Sequence, residues 1–108
     1  MVYTLDQLRQ IVVPIVQKYR IPALYLFGSY ARGEATETSD IDFLVDTTGT
    51  ELTSLLRLGA LYCELEEALG KRIDLLTVSA VMQSAETQSD KSFKNAVLRE
   101  RVCLYDAA

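Results

Sequence analysis

Histidine and tryptophan are absent from this 108-residue chain, and cysteine occurs only twice. Without histidine, Ser-His-Asp and Cys-His catalysis are excluded, because no other side chain supplies a neutral imidazole near pH 7. Metal sites that use imidazole are excluded with them. Two cysteines are also too few for a structural zinc site, which needs about four ligands. Cys63 and Cys103 stand among apolar residues and read as buried thiols rather than a disulfide, which fits a cytoplasmic home.

Long apolar runs are missing as well. None approaches the ~20 residues that a bilayer span requires, and Met1 to Gln10 lacks the basic-then-apolar order of an export signal. A soluble, cytoplasmic protein with no membrane partner is expected. Positive charge is the last scarcity: 11 Lys and Arg face 15 Asp and Glu, a net charge of -4. The general attraction to phosphate backbones that duplex binders rely on is therefore lacking, and nucleic acid is disfavoured as a partner.

What remains is enough for one compact domain, residues 1–108, burying roughly 65% of the surface of its unfolded chain. Its charge is unevenly spread. Residues 34–56 hold six carboxylates and no Lys or Arg, whereas residues 91–101 hold four basic residues against Glu100 alone. The acidic block is either a solvated face or a cation site.

Thr4, with Gln7 three residues on, marks a capped helix start, and Leu5, Leu8, Ile11, Val12, Ile15, Val16 and Tyr19 recur at helical spacing. Pro14 lies inside this helix, where its missing N–H predicts a kink. Ala23 to Phe27 reads as a buried strand running into a tight turn at Gly28-Ser29, and residues 30–38 as a helical turn and a loop. Asp40 to Asp46 alternates as a strand, with Ile41, Phe43 and Val45 on one face and Asp40, Asp42, Leu44 and Asp46 on the other. A leucine-rich helix from Leu52 to Leu69 follows, stopped by Gly70, and is assigned to the core rather than to an interface. Arg72 to Val78 is a third strand, parallel to the second because a helix of this length joins them. Residues 79–90 show no clear period. Lys91 to Tyr105 reads as a last helix, with Arg101 to Tyr105 alternatively an edge strand.

Asp40 and Asp42 project from one strand face with Cα atoms about 6.6 Å apart, close enough for both carboxylates to meet hard divalent cations. Alone, such a pair is more often solvated. Asp74 changes the balance: Ile73, Leu75, Leu76 and Val78 surround it, so its strand is expected to be buried, and a carboxylate there is costly without a cation or donors. Its plain alternative is an ion pair with Arg72 or Lys71. Gly28 permits close backbone approach to a ligand and Ser29 adds a hydroxyl, together a possible phosphate grip. Rival phosphate motifs fail, since Glu34 stands where a P-loop needs lysine. Arg32 either neutralises a triphosphate or pairs with Glu34 or Glu37.

The combined string, Gly28-Ser29-Tyr30-Ala31-Arg32-Gly33, five residues of loop, then Ser39-Asp40-Ile41-Asp42-Phe43-Leu44-Val45, resembles the signature of the DNA polymerase beta type nucleotidyltransferase superfamily. Within it the chain is similar to the minimal nucleotidyltransferases of the MntA antitoxin group, encoded beside HEPN-domain toxins. The resemblance runs from the first helix to the third strand; after Ser79 no matching motif is found. It implies a nucleotidyltransferase fold, α/β, with a small mixed sheet of three or four strands packed by the Leu5 and Leu55 helices. It implies further that Gly28 and Ser29, with Arg32, engage the triphosphate of ATP. Asp40, Asp42 and Asp74 then hold Mg2+, two ions being expected, and are catalytic, the third carboxylate helping to activate the attacking hydroxyl. The implied reaction is transfer of AMP from ATP to a tyrosine of a HEPN toxin partner. The alternatives are an antitoxin acting by occlusion without catalysis, and a nucleotidyltransferase acting on a small molecule or RNA.

Overall fold

The computed structural model describes residues 2–50, 52, 54–83 and 88–107, with Gln83 and residues 88–90 described by backbone alone. Helix α1, Leu5–Lys18, opens on a capping box. Gln7 N–H donates to the Thr4 hydroxyl at 3.1 Å and Thr4 N–H donates to Gln7 Oε1 at 2.9 Å, so two amides with no intrahelical partner are satisfied. The helix continues through Pro14 to a C-cap at Tyr19, and Leu8, Val12 and Val16 form its buried stripe. Tyr3 adds a tether, its hydroxyl donating to the Leu69 carbonyl at 2.5 Å.

The chain then runs β1 (Ala23–Phe27), α2 (Gly28–Ala31), β2 (Ile41–Asp46), α3 (Leu55–Leu69), β3 (Ile73–Thr77), α4 (Val78–Gln83), α5 (Gln88–Glu100) and β4 (Val102–Asp106). The strands form one mixed sheet in the order β3-β2-β1-β4. β1 is antiparallel to β2 and β4, while β2 and β3 are parallel across the α3 crossover, as the length of that connection requires. The expected α/β architecture is present. The C-terminal ambiguity resolves into a helix and an edge strand, because residues 102–106 complete the otherwise open side of β1.

Alternation divides the sheet into two unlike faces. One carries Leu24, Leu26, Ile41, Phe43, Val45, Ile73 and Leu104, which pack with the α1 stripe and with Leu61, Leu65 and Leu69 of α3 into the main core. The other carries a smaller cluster of Leu44 with Val81 of α4 and Val97 of α5, flanked by Tyr25, Phe27 and Leu76.

Three expectations are corrected. Cys63 and Cys103 are exposed, not buried. Cys63 lies on the back of α3, away from the Leu61, Leu65 and Leu69 stripe, and Cys103 sits on the outermost strand. The leucine-rich helix begins at Leu55 rather than Leu52, and its first turn leaves Leu55 and Leu56 in solvent at 88% and 85% exposure, while Leu52 is buried ahead of it. Both exposed leucines belong to the first turn, ahead of Leu58 and Tyr62, where the packing of α3 against the core begins. The third strand, expected to be buried, is the edge of the sheet, and Asp74 is exposed on it.

Candidate active site

The two acidic strands and the glycine turn meet on the second face of the sheet. Phe27 is paired with Asp42, and Asp42 with Asp74, so these three residues form one row across β1, β2 and β3. Asp40 is two positions before Asp42, just ahead of β2. The crossover through α3 brings Asp74 beside Asp42, although 32 positions separate them.

Gly28 has φ +73°, in the left-handed region that favours glycine. A Cβ there would fall 3.1 Å from Asp42 Cγ and press on Oδ2. Glycine is thus required twice, by its backbone and by the carboxylate lying against it. The turn is closed by Arg32 N–H donating to the Gly28 carbonyl at 3.1 Å and Glu34 N–H donating to the Ser29 carbonyl at 2.9 Å. Ser29 is thereby held beside Gly28 in the short α2 helix.

Burial, then the charges of Asp74 and Asp40, and a hydrogen bond shared with Asp74 push the Asp42 carboxyl up to about 6, with Arg32 opposing them. Burial and neighbouring carboxylates both disfavour the ionised form, and a positive charge placed among them would relieve that cost. Among the described residues no trio of Cys, Asp or Glu forms a ready-made metal cage. Mg2+ does not need one, because it keeps water and substrate phosphates as ligands and takes only one or two protein carboxylates. Asp40, Asp42 and Asp74 supply hard oxygen donors of the kind that could hold such an ion, two of them sufficing for each.

Arg32 realises the ion-pair alternative. Its Nε donates to Glu34 at 3.1 Å and its NH1 to Glu100 of α5 at 3.3 Å. Both pairs are largely solvated, and Arg32 still lowers the Asp42 carboxyl electrostatically. Lys71, one of the two cations weighed as partners for Asp74, donates instead to the Tyr30 hydroxyl at 3.1 Å and the Glu37 carbonyl at 3.2 Å. Through Lys71 the α3–β3 turn braces α2 and the loop before Asp40. Sequence reasoning missed this brace, and also the Glu100 contact, since both join residues more than 30 positions apart. A cleft of about 580 Å³ opens beside Asp40, lined also by Glu37, Ser39, Lys71 and Arg72.

Residues 10–108 match the family described as "Polymerase beta, Nucleotidyltransferase". The chain belongs to that family and is a nucleotidyltransferase. It is similar to a Methanocaldococcus jannaschii chain named provisionally as a protein adenylyltransferase, 44% identical over 77 residues, covering 71% of this chain and 81% of that one. It is similar as well to the protein adenylyltransferase MntA of Thermococcus cleftensis, 43% identical over 65 residues, 60% of this chain and 64% of the relative. A solved chain described provisionally as a minimal nucleotidyltransferase superposes with TM-score 0.61 at 32% identity, covering 93% of this chain and 95% of that one. At 21% identity, where only the fold is shared, a toxin-antitoxin structure with AMP-PNP superposes with TM-score 0.69 over 92% of this chain and 73% of the other. So does the Shewanella oneidensis MNT antitoxin complex with tri-AMPylated HEPN toxin, with TM-score 0.66 at 20% identity over 96% and 74% of the two chains.

Proposed function

We propose that this nucleotidyltransferase is a cytoplasmic, Mg2+-dependent antitoxin that transfers AMP from ATP to a tyrosine of a HEPN-type toxin. The observation that carries the reading is the row of Asp42 and Asp74 beside Gly28, with Asp40 adjoining. Three carboxylates next to a glycine turn have no use in a pure binder. The adenylyltransferase names of relatives at 43 and 44% identity support the choice of AMP.

In the proposed reaction the acceptor hydroxyl oxygen forms a bond to the α-phosphorus, and the bond from that phosphorus to the bridging oxygen breaks, releasing pyrophosphate. The Gly28-Ser29 turn holds the β- and γ-phosphates. Asp40, Asp42 and Asp74 would hold Mg2+, and Asp74 takes the hydroxyl proton. When bound, Mg2+ neutralises charge on the phosphates and orients them for in-line displacement. Such catalysis is mostly positioning and electrostatics, so a domain without histidine is sufficiently equipped. Each AMP adds a negative charge and a bulky base, enough to block a nuclease pocket.

Coexpression with a HEPN-type protein encoded beside it, followed by intact-mass spectrometry, tests the reading. The toxin is expected to gain whole AMP units with the wild type and none with Asp40→Ala. Neutralisation by Asp40→Ala without added mass would establish occlusion instead.

A further inference from the structure

The face that carries the site continues past it into an aromatic pair. Phe27 ends β1 directly before Gly28, and it is the register partner of Asp42. The ring of Phe93, on α5, stands edge-on to Phe27 with centroids 6.4 Å apart and planes at 66°. Val97, one helical turn on, is buried at 4% exposure, yet Phe93 remains 42% exposed. Exposing an aromatic surface to water costs free energy, and Phe93 is the one phenylalanine among the exposed large apolar side chains of the described residues. Glu100, at the other end of α5, is held by Arg32, immediately after the glycine turn. α5 is thus anchored at Val97 and Glu100, and its open ring flanks the site on the side away from Asp74.

We propose that Phe93, backed by Phe27, is the platform on which the purine base of the bound nucleotide stacks. This rests on the nucleotidyl-transfer reading above and extends it to a substrate subsite. In-line displacement sets the acceptor hydroxyl and the leaving pyrophosphate on opposite sides of the α-phosphorus. Asp74 occupies one flank of Asp42 and Gly28 the other, so the pyrophosphate lies toward the glycine turn, and the nucleoside, carried on the same α-phosphorus, has the apolar wall of Phe27 and Phe93 beside it. An aromatic platform grips any base by its π face, and larger ring systems more strongly. Purine nucleotides are therefore preferred over pyrimidine ones by stacking area, without hydrogen-bond readout.

Binding of ATP and of inorganic tripolyphosphate to the full chain in Mg2+ separates the base from the phosphates. In Phe93→Ala and in Phe93→Leu, which keeps apolar bulk for folding, ATP affinity is expected to fall about tenfold or more while tripolyphosphate affinity stays unchanged. KM for ATP should rise correspondingly, with kcat little altered. Phe93→Trp should restore ATP affinity. The chain has no tryptophan of its own, so the introduced indole reports directly, its fluorescence quenched by ATP but not by tripolyphosphate. Unchanged ATP affinity in Phe93→Leu overturns the platform, as does a loss confined to toxin copurification, which would make Phe93 a partner contact. A wild-type chain that binds neither ligand overturns the transfer reading itself.

Discussion

The two faces of the central sheet are made from the same strands and treated in opposite ways. On one, Leu26, Ile41, Phe43 and Ile73 are sealed under α1 and α3. On the other, one step along each strand, Phe27, Asp42 and Asp74 lie in a row under partial cover. Stability is concentrated on the first face, where apolar burial has no opposing charge. The proposed site occupies the second, where burial and neighbouring carboxylates raise the Asp42 carboxyl, a cost that a bound cation would remove.

Substitutions can break this contrast from either side. Phe43→Ala removes the largest fully buried side chain and should cost ~3–5 kcal/mol, much of the stability of a domain this size, while leaving the carboxylates themselves untouched. Denaturant midpoints measure it. Asp42→Asn should do the reverse, lowering AMP transfer on the order of 10²- to 10³-fold while raising the melting temperature of the metal-free chain. Transfer of labelled ATP and a thermal melt on the same sample check both signs together. An equally active Asp42→Asn would remove the second face from the chemistry.

Gly28→Ala sits on the boundary. Its left-handed backbone should cost ~1–2 kcal/mol, and the added methyl should displace the Asp42 carboxylate, so nucleotide binding should weaken more than stability. Comparing the ATP dissociation constant with the unfolding midpoint separates the two.

A pH titration sharpens the comparison further. Because the folded Asp42 carboxyl is raised to about 6 from an unfolded value of 3.8, the native state holds more protons than the unfolded state between those values. The contribution of Asp42 to stability therefore falls as pH rises from about 4 through about 6. Asp42→Asn should gain on wild type across that interval in metal-free buffer, and saturating Mg2+ should narrow the difference at pH 7. Mg2+ affinity of the wild type should drop below pH 6, as protons compete for the carboxylate. The smallest effect is expected at Leu55, which is 88% exposed: Leu55→Ala should stay within ~0.5 kcal/mol of wild type, against ~3 kcal/mol for Leu65→Ala on the buried stripe of the same helix.

Local patterning made α1, β1, β2 and β3 legible before folding, along with the parallel relation of β2 to β3, because side-chain period and connection length dictate them. The placement of Gly28 and Ser29 in one turn, and of Asp42 on β2 with Asp40 just ahead of it, was legible for the same reason. Leucine content misled at the start of α3, since composition does not say how far along its length a helix is covered. It misled again at Cys63 and Cys103, whose apolar neighbours in sequence are not their neighbours in space.

What the chain determined by itself is the element order, the capping of α1, the glycine turn and the acidic alternation of β2, all set by interactions within a few residues. Only the tertiary structure decided that Asp74 is an exposed edge residue beside Asp42, that Lys71 braces Tyr30 and Glu37, and that Arg32 pairs with Glu100. It also decided that residues 102–106 complete the sheet and that Phe93 meets Phe27. Each of these depends on strand order and helix docking, which are settled by the burial of whole faces and not by any local pattern.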